Sequence, residues 1–324
     1  MEKGIQKLTA DLTEQVQKVI VGKEKPLRLM LAALLCQGHI LLDDLPGVGK
    51  TTLIKTLSIA LGCDFKRVQF TSDLLPSDVL GMHIFDRKTD DFRLLQGPVM
   101  TNVLLADEIN RAIPRTQSAL LEAMEERQVT LDGDVYPLPL PFLVMATQNP
   151  VDLESTFRLP AAQLDRFFLR LTLGYPSLEQ ELEMLRIVGD EIPFGEVRPV
   201  TGPEEICAFQ REIWDVHVSD SVLNYIVALS DATRNHPLIR TGVSPRGSRA
   251  LYRGVKALAA MDSRSFATPD DVLELLAPVF CHRIVLKNEA RLAGKDAQAL
   301  INEITGTVAV PPDRGALFDV GAAI

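Results

Sequence analysis

A chain of 324 residues is long enough to bury a large core and to divide into two domains. With 46% hydrophobic and 24% charged residues it has the balance of an ordinary globular protein, and no apolar run approaches the roughly 18 residues of a membrane span. A net charge of −9 disfavours a broad nucleic-acid footprint, which would need a basic face. The four cysteines, Cys36, Cys63, Cys207 and Cys281, are far apart and form no C-x-x-C pair. They read as buried apolar residues in a reducing compartment. The five histidines are equally scattered, with no H-E-x-x-H or Cys/His cluster to suggest zinc. Residues 1–10 are polar and helical in pattern, which is not expected of a signal peptide. The expected location is the cytoplasm.

Apolar residues at Ile5, Leu8, Leu12, Val16, Val19 and Ile20 recur at helical spacing. A short turn, Ile20-Val-Gly-Lys23, follows. Pro26 suits the first turn of a second helix that runs to about Gln37, and Gly38 ends it. The stretch His39-Ile-Leu-Leu-Asp-Asp-Leu-Pro-Gly-Val-Gly-Lys-Thr-Thr52 then reads as strand, phosphate loop and helix. In such a loop, glycines let backbone N–H groups approach phosphates closely. The following helix adds the positive end of its dipole. Lys50 is placed to reach the outer phosphates, and the Thr51 hydroxyl to hold Mg²⁺. One position departs from the pattern: where the loop ordinarily opens with Gly, this chain has Asp44. Its charge is expected near the phosphates, at the loop entrance, so that nucleotide would need Mg²⁺ to bind well. The alternative is a Gly-rich turn that binds nothing, and the strand–loop–helix context argues against it.

Helix 50–61 stops at Gly62, and residues 66–71 read as a second strand. The segment 72–102 is longer than a plain crossover needs. Two short strands around a charged turn fit it, closed by Gly97-Pro98. Asn102-Val-Leu-Leu-Ala-Asp-Glu108 is the apolar run of a buried parallel strand that ends in two carboxylates. A helix over 115–127, a hairpin around Asp132-Gly133, a buried strand over 142–149, a short helix over 161–167 and a last strand over 169–173 follow. Together these make a doubly wound α/β domain. Gly174-Tyr-Pro-Ser177 reads as a linker, and helices alone are expected beyond it. Ser177 caps the first, with Gln180 three residues on. Others fit about 203–213, 219–235, 245–261, 269–279 and 294–304, with a strong start at Thr268-Pro-Asp-Asp271. The expected division is a core over 1–174, a helical domain over 175–306 and a tail over 307–324.

Following a phosphate loop, Asp107 would hold Mg²⁺ and Glu108 would orient and polarise an attacking water. Asn149 ends the next buried strand and could touch both the γ-phosphate and the water; before Pro150 it is equally a turn-former. Phosphoryl transfer also needs positive charge beyond the loop lysine. Arg111, Arg115, Arg158, Arg166 and Arg246 are the candidates. An arginine near a helix start is ordinarily solvated or ion-paired, so the residues alone do not choose among them.

Several strings occur in order over roughly residues 20–280. They are Asp43-Asp-Leu-Pro-Gly-Val-Gly-Lys-Thr51, Ala106-Asp-Glu-Ile-Asn-Arg-Ala112, Thr116-Gln-Ser-Ala-Leu-Leu-Glu-Ala-Met-Glu125, Ala146-Thr-Gln-Asn-Pro150, Leu159-Pro-Ala-Ala-Gln-Leu-Asp-Arg-Phe167 and Ser244-Pro-Arg246. As a set they resemble the AAA+ ATPase superfamily, and most of all its MoxR family. The resemblance implies an AAA+ αβα core with a parallel sheet, an insert over about 72–102, and a smaller all-helical lid. It implies that Pro46, Gly47, Val48, Gly49, Lys50, Thr51 and Thr52 form Walker A, and Asp107 and Glu108 Walker B. Asn149 matches sensor 1 and Arg246 the sensor 2 arginine of the lid. Arg166 matches an arginine finger acting in trans on a neighbour's nucleotide. Val21 and Gly22 resemble the segment that packs near adenine. Arg158, where family members often have a non-basic residue, reads either as a second trans cation or, as preferred here, a surface change.

The implied cofactors are ATP and Mg²⁺. The implied assembly is a homo-oligomeric ring, a hexamer, that remodels or activates protein clients, von Willebrand factor A domain proteins among them. Two rival readings share the fold. One is the ATPase subunit of a magnesium-chelatase-like complex. The other is a nucleic-acid-remodelling motor, which would need clustered Lys and Arg. Here Asp86, Arg87, Lys88, Asp90, Asp91 and Arg93 nearly cancel, and the second hairpin carries Asp132 and Asp134. A ring that binds nucleotide without hydrolysis is opposed by the set Asp107, Glu108, Asn149 and Arg166.

Overall fold

The structure is a computed structural model describing residues 4–148, 156–188 and 192–312. The chain forms two compact units, Met1–Ile213 and Trp214–Ile324.

In the first unit, α1 (Ile5–Gln17) buries Ile5, Leu8, Leu12 and Val16, the stripe its spacing predicts. Then come α2 (Glu24–Leu35), β1 (Ile40–Asp43), α3 (Lys50–Ala60) and β2 (Phe65–Gln69). The insert follows as α4 (Pro76–Leu80), β3 (Gly81–Asp86) and β4 (Asp91–Gln96). Beyond it lie β5 (Val103–Asp107), α5 (Pro114–Glu126), β6 (Gln128–Leu131), β7 (Asp134–Pro137) and β8 (Leu143–Gln148). The unit ends with α6 (Ala161–Leu164), β9 (Leu169–Leu171), α7 (Leu178–Val188) and α8 (Pro203–Glu212).

Five strands form one parallel sheet in the order β2-β5-β8-β1-β9. The central strands are buried almost throughout, as a sheet covered on both faces requires. One face packs Leu41, Leu104 and Val144 against Leu120, Leu121 and Met124 of α5. Because all five strands run the same way, their C-terminal ends lie along one edge. That edge carries the end of β1 and the glycine loop after it, Gln69, Asp107 and Gln148.

The two hairpins, β3–β4 and β6–β7, are tied together by His83. Its Nδ1 lies 2.8 Å from Asp132 Oδ2, and its Nε2 lies 3.0 Å from the Tyr136 hydroxyl. Asp132 and Gly133 turn the second hairpin with φ of 53° and 96°. Two positive φ values are what a two-residue hairpin turn needs.

The first unit runs past the linker expected at 174–177. Ser177 and Gln180 do form the expected reciprocal cap: the Ser177 N–H donates to Gln180 Oε1 at 2.9 Å, and the Gln180 N–H to Ser177 Oγ at 3.3 Å. Beyond α7, however, α8 belongs with the sheet domain. Gln210 donates to the Leu34 carbonyl at 2.7 Å and accepts from Gln37 at 3.1 Å. A change in sequence periodicity marks where strands stop, but long-range contacts decide which helices stay.

The second unit contains α9 (Asp220–Asn235), β10 (Ile239–Thr241), α10 (Pro245–Met261), α11 (Pro269–Phe280), β11 (Val285–Leu286), α12 (Asn288–Leu292) and α13 (Ala297–Thr307). It is helical apart from an antiparallel ribbon, β10 with β11. The expectation of helices alone misses that ribbon, since strands of two and three residues carry no readable alternation. The helix starts are well marked. Ser219, Ser244 and Asp296 each accept a first-turn N–H, and Thr268 with Asp271 completes a capping box. Arg264 grips the same Asp271 with both nitrogens of its fork, at 2.8 and 2.6 Å.

His39, just before β1, is fully buried. Its Nδ1 accepts from the Val144 N–H at 3.0 Å, which leaves Nε2–H to donate to the Met124 carbonyl at 3.0 Å. It thus joins β1, β8 and α5 as a neutral ring. Burial lowers its pKa from 6.5 to about 4, with the Met124 hydrogen bond opposing the shift. A ring that resists protonation stabilises the fold above its unfolded pKa and loses that stabilisation as pH falls towards the folded value. Stability should therefore drop by about 3 kcal/mol between pH 6.5 and 4. In His39→Gln this part of the pH dependence should be absent. Chemical denaturation of both proteins across that range is the measurement, and parallel curves would contradict the assignment.

Candidate active site

The glycine loop expected to bind phosphate begins where β1 ends. Gly47 and Gly49 both have φ of 82°, a left-handed conformation that side-chain-bearing residues rarely adopt. Lys50 follows as the first residue of α3, so the free first-turn amides of that helix open onto the loop. Lys50 Nζ donates to the carbonyls of Asp44 and Leu45, each at 2.9 Å. The loop lysine therefore rests on the loop's own backbone.

These residues line a cleft of about 420 Å³. Pro46, Gly47, Gly49, Lys50, Thr51 and Thr52 form one side, and Asp107 and Glu108 from the end of β5 form the other. The expected Walker A and Walker B residues thus meet at one place, brought there by sheet topology from 55 and more residues apart along the chain.

The two acids are held differently. Asp107 accepts from Thr147 Oγ1 at 2.6 Å, and its other oxygen accepts from Arg67 Nε at 3.1 Å and Nη2 at 2.6 Å. Glu108 has left-handed backbone angles, φ 55° and ψ 50°, unusual for a residue with a long side chain. Its N–H donates to the same Thr147 hydroxyl at 2.8 Å. Its carboxylate accepts from Gln69 and from Arg111, each at 2.9 Å. The Thr147 hydroxyl uses one proton and one lone pair to hold the two residues in their different directions.

Arg67, Gln69 and Thr147 were not singled out by the sequence. The signal was available. Arg67 and Gln69 stand two apart near the C-terminal end of a parallel strand, so they share a face at the edge where ligands bind. Thr147, the last buried residue of β8, carries a hydroxyl. Among the arginine candidates, Arg111 contacts an acid of this cleft directly, through Glu108.

Asp44 corrects an expectation. It is buried and does not line the cleft. Its carboxylate accepts from the N–H of Leu173, and from that of Gly174 at 3.3 Å. Its charge is therefore turned away from the phosphate cradle towards the chain leaving β9. Nor does the backbone there adopt a positive φ, so a glycine is not required.

The remaining expected residues lie elsewhere. Arg166 is paired with Glu125, Nε to Oε2 at 3.3 Å, and lines a separate cleft of about 520 Å³ with Glu122, Glu126 and Gln163. Gly22 turns with φ of 69° against the Gln180 side chain. Val21 precedes it, and Val48 lies inside the glycine loop. Arg246 is exposed on the first turn of α10 in the second unit, and Arg158 is exposed on the first. Asn149 lies outside the described residues.

A glycine-rich phosphate loop on a five-stranded parallel sheet, facing two strand-end carboxylates, defines a P-loop ATPase of the AAA+ type. Two family models match accordingly: "ATPase family associated with various cellular activities (AAA)" over residues 39–169, and "AAA lid domain" over residues 231–304. The chain is 47% identical to YeaC of Bacillus subtilis, an uncharacterized protein, across 98% of this chain and 99% of that one. It is 38% identical to the chaperone MoxR1 of Mycobacterium tuberculosis, across 92% of this chain and 81% of that one. A crystal structure of a putative ATPase from Cytophaga hutchinsonii superposes with a TM-score of 0.89 at 37% identity, covering 95% of this chain and 96% of the other. The chain belongs to the MoxR family of AAA+ ATPases.

Replacing Thr147 by Val keeps the shape but leaves the Asp107 oxygen and the Glu108 N–H without their shared partner. The cost should be about 1–3 kcal/mol of stability, the range for an unsatisfied buried polar group. Thr147→Ser should recover most of it. Denaturant unfolding of the three proteins decides this, and a Val variant as stable as the wild type would contradict it.

Proposed function

We propose that the protein hydrolyses ATP with Mg²⁺ and uses the cycle, as a ring oligomer, to remodel or activate partner proteins. The observation that carries this reading is the cleft in which Lys50, Thr51, Asp107 and Glu108 converge.

The triphosphate would lie along the Gly47–Gly49 loop, its charge met by backbone N–H groups and the α3 N-terminus. Lys50 would exchange two neutral carbonyls for phosphate oxygens, a stronger, charge-assisted contact. Thr51 and Asp107 suit a magnesium ion, because they offer hard oxygens on facing sides of the cleft. Bound there, the ion would neutralise charge on the β- and γ-phosphates. Arg67 already supplies positive charge to Asp107, so the guanidinium would yield to that ion.

Glu108 is the proposed base. Its carboxylate is oriented by Gln69 and Arg111, and its backbone by Thr147. From there it would polarise the water that attacks the γ-phosphorus and accept its proton, while the γ-phosphate bond to ADP breaks. We assign Asn149 to the positioning of that water and Arg246 to sensing the nucleotide, both on the family resemblance. Val21 and Gly22 would border the adenine on the same basis.

Arg166 supports the ring. It lines a different cleft from that of Lys50, which suits a side chain serving a neighbour's nucleotide, with six subunits as the family's expected number. The client is proposed from relatives: the M. tuberculosis protein is named a chaperone. Among the described residues no helix is long and apolar enough to cross a membrane. Four cysteines outside any disulfide, three of them buried, support a reducing, cytoplasmic setting.

Glu108→Gln should bind ATP with near wild-type affinity and lose about 10²-fold or more in turnover. Steady-state hydrolysis beside equilibrium binding of a fluorescent ATP analogue measures both, and near wild-type turnover would remove Glu108 as the base.

Arg166→Ala should lose about 10³-fold in turnover with binding retained. Mixing it with Lys50→Ala subunits, which keep the arginine but cannot bind nucleotide, should restore part of the activity. A mixture no more active than its components would leave the arginine acting within its own subunit or not at all.

A further inference from the structure

Asp44 stands where phosphate loops ordinarily carry glycine, yet its carboxylate is buried and directed at the two peptide groups that follow β9. It accepts from the N–H groups of Leu173 and Gly174. The carbonyls of the same two residues accept from a single ammonium, Lys23 Nζ, at 2.8 and 3.1 Å. The turn after β9 is therefore gripped from both sides, by an anion on its donors and a cation on its acceptors. Such charged partners make stronger hydrogen bonds than neutral ones.

The same Asp44 is connected to the phosphates through its main chain. Its carbonyl is one of the two groups on which Lys50 rests. Two of the three N–H donors of the Lys50 ammonium rest on the Asp44 and Leu45 carbonyls. Turning that ammonium towards a triphosphate would loosen its hold on the Asp44 carbonyl, at the residue whose side chain holds Leu173 and Gly174. Gly174, with φ of 65°, begins the connector into α7, whose Gln180 packs against Gly22.

We propose that Asp44, with Lys23, is a positioning pair that couples loading of the phosphate loop to the turn at Leu173–Gly174 and so to the connector entering α7. This rests on the ATPase reading above. Asp44 touches no phosphate in this scheme. It transmits the departure of Lys50 to the end of β9, which a glycine at the same place would leave unlinked.

Hydrogen exchange over residues 172–178, read with and without Mg²⁺ and a non-hydrolysable ATP analogue, tests the coupling. In the wild type the analogue should change exchange in this segment by about threefold or more. Asp44→Gly restores the ordinary loop pattern and removes the grip. Lys23→Met removes it from the other side without touching the loop. Both should exchange about tenfold faster than wild type over 172–178 and no longer respond to the analogue. Both should keep analogue affinity within about threefold while kcat falls about tenfold at little-changed KM. Asp44→Asn, with one acceptor oxygen left, should fall between.

A wild type that binds the analogue with no change over 172–178 would overturn the coupling and leave the ATPase reading standing. So would variants that respond like the wild type, or that lose affinity in step with kcat. A wild type that does not bind the analogue would overturn the ATPase reading and the coupling with it.

Discussion

The Thr147 hydroxyl is the contact on which the candidate site depends. It lies near the ends of two neighbouring, largely buried parallel strands, β5 and β8, donating to Asp107 and accepting from the Glu108 N–H. Adjacent residues on a strand point to opposite faces. Bringing two consecutive acids to one cleft therefore requires the strand to stop between them. Glu108 stops it with left-handed backbone angles, and the buried hydroxyl supplies the partner that makes this conformation tolerable. The turn at Glu108 and the direction of the Asp107 carboxylate are held by that one group.

Electrostatics shapes the rest of the cleft. Asp107 and Glu108 would repel each other and a triphosphate, and the chain answers with Arg67, Arg111 and Lys50. Each of these cations has a resting partner: Asp107, Glu108, and the loop carbonyls. On the proposed reading, nucleotide binding would be an exchange of partners rather than the filling of bare charges. That arrangement keeps the acidic edge stable without ligand, and it makes the positions of the cations sensitive to what is bound. Asp44 and Lys23 extend the same logic beyond the cleft, since one peptide turn is held by opposite charges on its two sides.

The hairpins and the second unit rest on local rules that agree with tertiary contacts. The turn at Asp132-Gly133 could be read from its residues, and so could the caps at Ser177, Ser219, Ser244 and Thr268. The tie between the two hairpins could not. His83 meets Asp132 and Tyr136 from about fifty residues away, and nothing in the surroundings of His83 in sequence announces either partner.

By itself the sequence determined the order along the chain of the main-sheet strands and of the longer helices, the parallel α/β class, and the glycine loop with the two acids. Periodicity, positive-φ glycines and strand-end carboxylates are local properties, and they are legible without a fold. The tertiary structure decided which residues complete the site. The strand-end positions of Arg67, Gln69 and Thr147 are legible in the sequence, but the strand order in the sheet that brings them beside Asp107 and Glu108 is not. It also decided where the first unit ends, because Gln210 binds the α2 end across 176 residues. Above all it reversed the meaning of Asp44. An acid in a phosphate loop looks like charge beside phosphate until folding shows two backbone amides, just past the neighbouring strand β9, taking its carboxylate away from the cleft.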